Sequence, residues 1–150
     1  MERQIKCRGK RLDNGEWVFG YLARPDRIVV FEIDEFLNLG TWVEYIVDPE
    51  TVGQSLAIND KAGSEVFEDD LLSGDNGNIY QVIWLAEHAK FALKVVKSKF
   101  VLSMGLTFPI WHYLNNGIFD VIKIGNIHDN PELLEVQSHD WPRNGSTDCG

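Results

Sequence analysis

Cysteine and basic residues are scarce in this sequence of 150 residues, and each shortage excludes classes of protein. The two cysteines, Cys7 and Cys149, are too few for the disulfide framework of a small secreted domain. We predict that both are free thiols in a reducing cytoplasm. Lysine and arginine number 14 against 23 acidic residues, a formal charge of −9. Nucleic acid and anionic membranes repel such a chain, which argues against general binding to either.

Long hydrophobic runs are also missing. The longest apolar stretch, residues 100–114, is interrupted by polar residues, glycine and proline, and it is too short to span a bilayer. Nothing at the start of the sequence resembles a signal peptide. We therefore predict no transmembrane segment and a cytoplasmic location.

The common catalytic and cofactor-binding motifs are absent as well. The sequence contains no P-loop, dinucleotide fingerprint or G-x-S-x-G motif. The histidines are too dispersed for a helix-borne or turn-borne metal site; they are His88, His112, His128 and His139. We predict no catalytic residue, no metal and no cofactor, and we favour a non-enzymatic protein.

What the sequence does contain is a series of short strands separated by turns. Aromatic and β-branched residues predict strands at 16–22, 27–33, 41–47, 66–72, 78–86, 91–97 and 119–127. The continuous apolar centre of the second strand, at 28–31, predicts that it is covered on both faces. Asn76-Gly77 is a strong hairpin signal, and residues 59–63 predict a second hairpin turn. Asp48-Pro49-Glu50 predicts a short helical turn, with Asp48 as the cap and Pro49 at the first helical position.

This pattern predicts an α+β fold that is mostly β. We expect a β-rich lobe with short helical turns at 1–58, an SH3-like barrel with a closing helical turn at 59–137, and a mobile tail at 138–150. Strand alternation then predicts the buried set of the barrel: Val66, Ile79, Val82, Trp84, Phe91, Leu93, Val95 and Ile124.

Two features of the charged residues leave alternatives open. Glu65, Glu68, Asp69 and Asp70 are either paired carboxylates that bind a cation or act in catalysis, or a solvated face on an edge strand, which we prefer. Residues 1–11 hold five basic residues and one glutamate, a charge of +4 that leaves −13 for the rest. This basic arm either pairs with the acidic cluster of a second copy, with Trp17 or Trp42 buried between copies, or forms the first strand of a monomer with its charges in water.

Several blocks resemble the YopX family of phage and prophage proteins. They lie at 5–9, 13–22, 47–54 (VDPETVGQ), 60–70 (DKAGSEVFEDD) and 124–134 (IGNIHDNPELL). This chain has Ser55, Ala57 and Asp69 where that family usually carries an aromatic residue and two glycines. The signature positions, whose role is unknown, are Asp48, Pro49, Glu50, Thr51, Gly53, Gln54, Asp60, Gly63, Glu68, Asp70, Gly125, Asn126, Asn130 and Pro131.

The resemblance implies an α+β protein with an SH3-like barrel, encoded by a phage and located in the cytoplasm of a bacterial host. It implies no reaction. Because 11% of the residues are aromatic, more than a core of this size must bury, we favour an interaction or self-assembly module that forms a homo-oligomer or binds a host or phage protein. The alternative is an acidic effector that mimics phosphate and acts on a host nucleic-acid enzyme.

Overall fold

The computed structural model describes residues 5–135, whose strands form two sheets. The strands are β1 (Cys7–Lys10), β2 (Trp17–Arg24), β3 (Arg27–Asp34), β4 (Leu39–Ile46), β5 (Gly53–Asn59), β6 (Glu65–Phe67), β7 (Asp70–Ser73), β8 (Ile79–Leu85), β9 (Lys90–Lys97), β10 (Thr107–Pro109), β11 (Leu114–Asn115), β12 (Ile118–Phe119) and β13 (Ile122–Asn126). The predicted tail, Cys149 and His139 lie outside the described residues.

The first sheet contains the N-terminal half of the chain. Its strand order is β11-β12-β5-β1-β2-β3-β4, and β6 pairs with β5. The second sheet has the order β10-β9-β8-β7-β13. Strand β12 runs parallel to β5, with Ile118 opposite Asn59, so the C-terminal half of the chain returns to the first sheet.

The helices of residues 5–135 are 3-10 turns of three or four residues, at Pro49–Thr51, Ala86–His88, Val101–Ser103, Ile110–Tyr113 and Pro131–Leu134. The first confirms the turn chemistry predicted from the sequence, because the Asp48 side chain accepts from the backbone N–H of Glu50 and Pro49 begins the helix. The mostly β prediction is confirmed. No helix of this part of the chain has the length and apolarity needed to cross a membrane.

Every predicted strand is present, but two of them are divided. The predicted strand 66–72 becomes β6 and β7, because Asp69 between them has a left-handed backbone with a φ of 70°. The predicted strand 119–127 becomes β12 and β13. The second sheet ends at β10 and β13, and no closed barrel is found in residues 5–135, so the SH3-like barrel is not confirmed.

The core involves mostly strands of the second sheet, with β6 and β12 of the first sheet contributing Val66 and Phe119. It is built from Val66, Leu72, Tyr80, Val82, Leu93, Val95, Phe119 and Val121. The predicted buried set is confirmed for Val66, Ile79, Val82, Leu93 and Val95, and Phe91 is partly buried. It is wrong for Trp84, which lies near the end of β8 beyond the core, and for Ile124, which lies on the end strand of the sheet; both are exposed.

Candidate interaction surface

One face of the first sheet connects the two halves of the molecule. The register sets Arg8 opposite Phe19 and Lys10 opposite Trp17. Because paired residues and every second residue along a strand share a face, the basic side chains of β1 lie on the same face as the aromatic side chains of β2. Tyr21 of β2 lies opposite Val29 of β3, which continues this face onto β3. The pairing of β3 with β4 continues it onto β4.

The β1 end of this face is covered by the second half of the chain. Arg8 forms an ion pair with Asp70 at 2.8 Å, and the two side chains are only 4% and 0% exposed. Asp70 also lies 3.1 Å from Lys123 Nζ and accepts a hydrogen bond from the Phe67 backbone N–H. The Arg8 guanidinium lies 4.6 Å from the ring centre of Trp17. The attraction between Asp70 and its two cationic partners offsets the free-energy cost of removing these charges from water.

Two further ion pairs flank this buried pair. Lys6 Nζ lies 2.7 Å from Glu65, and Lys10 Nζ lies 2.5 Å from Asp129. The basic arm therefore contacts the acidic cluster within a single chain, as the first strand of the sheet. The alternative in which the arm is a first strand with its charges in water is wrong for the charge of Arg8, because its partner Asp70 is buried with it.

The predicted solvated acidic face is likewise wrong for Asp70. Burial raises the pKa of Glu68 above its usual range, although a hydrogen bond from the Gln54 N–H opposes the shift. Asp69 accepts from the Gln81 side chain at 3.1 Å. These carboxylates are held by internal partners, and residues 5–135 contain no group of three side chains suited to a metal ion.

Most of the signature positions predicted from the sequence lie at this junction. Asp48, Pro49 and Glu50 form the 3-10 turn, and Thr51 Oγ1 accepts from the Lys10 backbone N–H at 2.8 Å, which ties the turn to β1. Gly53 permits a close approach, because a Cβ there would lie 2.9 Å from the Glu68 carbonyl oxygen. The Gln54 carbonyl accepts from the Glu68 N–H.

A second signature group fixes the turn before β6 to the last strand. Asp60 is buried, and its carboxylate accepts from the backbone N–H groups of Ala62, Ser64 and Lys123. Gly63 supplies the left-handed backbone of this turn, with a φ of 89°. The hairpin predicted at residues 59–63 is confirmed, since β5 and β6 pair on either side of it.

A third signature group presents Asp129 to the basic arm. Asn126 accepts from the N–H of Asp129 and donates to its carboxylate, and a Cβ on Gly125 would lie 2.2 Å from Asn130. Pro131 begins the 3-10 helix that follows. Burial raises the pKa of Asp129, but hydrogen bonds from Lys10, Trp17 and Asn126 outweigh it and lower the pKa to about 2.

At two positions where the resemblance leads us to expect glycine, the residues present adopt the backbone that glycine favours. Ala57 has a φ of 56° and Asp69 a φ of 70°. A left-handed backbone costs an L-residue roughly 1–2 kcal/mol, so the fold is retained at these positions with local strain.

The other end of the sheet face is open. We call it the aromatic face and define it by Phe19, Tyr21, Phe31, Ile33 and Trp42. The Trp42 ring lies 5.2 Å from Phe31 and 6.0 Å from Tyr21. Trp42 is 59% and Phe31 52% exposed, so the prediction that the second strand is covered on both faces is wrong for its outer half. A shallow pocket of about 180 Å³ lies between Phe19, Tyr21 and Ile5.

The sequence reasoning named one member of the aromatic face, Trp42, and missed the others. Its second candidate, Trp17, lies at the covered end, where its indole N–H donates to Asp129 at 2.7 Å. The signal for the face is the alternation of Phe19 with Tyr21 and of Phe31 with Ile33, which places each pair on one side of its strand. The continuous apolar run at 28–31 hides that signal, because such a run is typical of a strand buried on both faces. Only Ile28 of this run is fully buried.

Comparison with known proteins identifies the family. The sequence model described as "YopX protein" matches residues 14–135. The chain belongs to the YopX family. The crystal structure of protein EF1440 from Enterococcus faecalis is similar, with a TM-score of 0.52 and 22% identity over 89% of this chain and 100% of that chain. At this identity the similarity concerns the fold. A search of curated proteins found no match.

Proposed function

We propose that this YopX-family protein is a non-enzymatic module for protein interaction or self-assembly, and that the aromatic face is its binding surface. The observation that carries the proposal is the exposure of five large apolar side chains on one side of β2, β3 and β4. Contiguous exposed aromatic residues are typical of protein interfaces.

The position of the aromatic face supports this proposal. It continues the surface on which the second half of the chain already packs, since Phe19 lies 5.5 Å from Phe67. The part of the chain that the structure describes leaves the aromatic face without a covering element. A second copy or another protein would extend the same packing over Phe31 and Trp42, and we propose a homo-oligomer as the first case.

The alternative, an acidic effector that mimics phosphate, receives less support. It needs a row of accessible carboxylates, whereas Asp70 is buried and Glu65 is paired with Lys6. We also propose, from the family membership, that the protein is encoded by a phage and acts in the cytoplasm of the bacterial host.

Light scattering of Trp42→Ser tests the role of the aromatic face. We expect the native protein to have a mass that rises above 17.1 kDa with concentration, and the variant to remain at 17.1 kDa. Removing a central aromatic anchor from an interface costs roughly 2 kcal/mol or more in binding, which weakens association about thirtyfold.

Trp111→Ser is the matched control, because Trp111 is 72% exposed but lies outside the aromatic face. It should associate like the native protein. A native mass fixed at 17.1 kDa at high concentration would refute self-assembly, and equal effects of the two substitutions would refute the assignment of the surface.

A further inference from the structure

The outer edge of β4 is unpaired over residues 39–45 in the described part of the chain, and at its end the Leu12 N–H donates to the Ile46 carbonyl at 3.2 Å. Strand β4 ends the strand order of the first sheet, and its only strand partner there is β3. It is eight residues long and pairs with β3 along its whole length without a bulge. A strand of this length presents a regular row of hydrogen-bonding groups along its free side.

The hydrogen-bond pattern identifies which backbone groups point outward. The Val47 N–H donates to the Asp26 carbonyl at 3.0 Å, one step beyond the paired residues Arg27 and Ile46. Hydrogen-bonded pairs alternate along an antiparallel ladder, so the odd-numbered residues of β4 bond to β3. The N–H and C=O groups of Gly40, Trp42 and Glu44 consequently face away from β3.

The devices that normally protect a sheet edge are missing from β4. Natural edges carry lysine, proline or a bulge that prevents the addition of another strand. Strand β4 has no lysine and no proline, its pairing with β3 is regular, and Glu44 is its one charged residue. Its edge therefore suits the addition of an extended segment, a recurrent mode of peptide recognition.

Charge determines which segment suits this edge. Between residues 28 and 46 the chain has four carboxylates and no basic residue; the carboxylates belong to Glu32, Asp34, Glu35 and Glu44. Arg11, from outside this segment, lies 4.8 Å from the Tyr45 ring, and Asp13 pairs with its charge. Two copies joined through β4 would bring these carboxylates together, whereas a cationic strand would be attracted. We infer that β4 binds an extended, cationic segment of another protein as an added strand.

The two sides of the sheet further specify the occupant. Trp42 and Phe31 lie on the aromatic face. Glu32 follows Phe31 and Asp34 follows Ile33 along β3, so the two carboxylates lie on the opposite face. An added strand would lie about 10 Å from β3, a distance that a lysine or arginine can bridge to a carboxylate. The segment should alternate apolar residues toward the aromatic face with basic residues toward Glu32 and Asp34. This inference rests on the proposed interaction function and names the chemistry of one partner.

A labelled peptide of about ten residues that alternates lysine and valine tests the inference by fluorescence anisotropy. Glu44→Pro removes an outward N–H from the edge, where proline is tolerated, and Glu44→Gln removes the charge alone. Because Glu44 lies on the aromatic face and the basic residues of the peptide lie on the other, we expect the native protein and Glu44→Gln to bind the peptide similarly. Glu44→Pro should bind it about tenfold more weakly. A glutamate–valine peptide should not bind.

N-methylated peptides repeat the test without altering the protein. One peptide carries a methyl group on every second backbone amide. The other carries methyl groups on the remaining backbone amides. Only one of the two sets faces β4, so one peptide should lose binding and the other should retain it. Equal binding of both peptides, or of Glu44→Pro and Glu44→Gln, would overturn the inference. Failure of the lysine–valine peptide to bind, with Trp42→Ser still reducing association, would refute the cationic strand and leave the proposed function standing.

Discussion

The two ends of one sheet face use similar residues in different ways. At the β1 end, aromatic rings and charged groups pack against each other. Arg8 lies between Trp17 and Phe67, and Asp70 balances its charge. At the β4 end, the aromatic residues remain exposed and the carboxylates lack basic neighbours in residues 28–46. The covered end stabilises the chain, and the open end is available for a partner.

The contrast also shows where the signature positions predicted from the sequence lie. Their acidic, amide and glycine residues cluster around the covered end, in the turns that bring Glu68, Asp70 and Asp129 to β1. Residues of the aromatic face other than Phe19 and Tyr21 lie outside the matching blocks. The signature positions predicted from the sequence thus lie in the part of the fold that joins the two halves of the chain, while Phe31, Ile33 and Trp42 of the aromatic face lie elsewhere.

The largest expected effect is the loss of stability on Asp70→Ala at the covered end. This change leaves Arg8 buried without its carboxylate and removes the acceptor of the Phe67 N–H. Breaking a buried ion pair costs about 3–5 kcal/mol. We expect the free energy of unfolding, measured with urea, to fall by that amount.

The control for Asp70→Ala is Asp13→Ala. Asp13 pairs with Arg11 at 2.5 Å, but its side chain is largely exposed, and surface pairs of this kind contribute little. Equal losses in the two variants would contradict the distinction between a covered end and an exposed surface.

The sequence predicts local structure well where the cause is local. The Asp48 cap and the hairpin at Asn76-Gly77 depend on neighbouring residues, and both are confirmed. The burial of Asp70 depends on Arg8, sixty-two residues earlier, so alternation along its own strand could not reveal it. The division of strand 66–72 at Asp69 also depends on the rest of the fold, because an aspartate does not by itself predict a left-handed backbone.

Only part of the aromatic face could be predicted from the sequence, because the exposure of its residues depends on contacts with distant parts of the chain. Aromatic content predicted exposed aromatic residues, and Trp42 is among them. Which aromatic residues are exposed depends on where the second half of the chain ends its contact with the first sheet. The Trp17 indole reaches Asp129, whereas Phe31 has no such partner from the second half of the chain within residues 5–135.

A smaller effect is expected from Ala57→Gly, which relieves strain beside the covered end. Ala57 has a φ of 56°, a conformation that glycine adopts without steric cost. We expect the free energy of unfolding to rise by about 1 kcal/mol. Ala62→Gly is the control, since Ala62 lies outside the left-handed region and glycine there should reduce stability. An equal response of the two variants would contradict the assignment of strain to Ala57.

The smallest expected effect is a pH dependence at the edge of the covered end, and Asp129→Asn reveals it. The pKa of Asp129 in the folded chain is lowered to about 2 from 3.8, so its ionised form favours folding. That contribution is fully present above about pH 4 and is lost as the pH falls through 2. Because the side chain is 37% exposed, solvent weakens the effect. Urea unfolding from about pH 6 to about pH 2 should show the native protein more stable than Asp129→Asn, by a margin that shrinks as the pH falls.

Lys10→Met should reduce the same margin, and adding it to Asp129→Asn should change the pH dependence no further. A margin constant across this range would show that Lys10 and Trp17 do not stabilise the carboxylate.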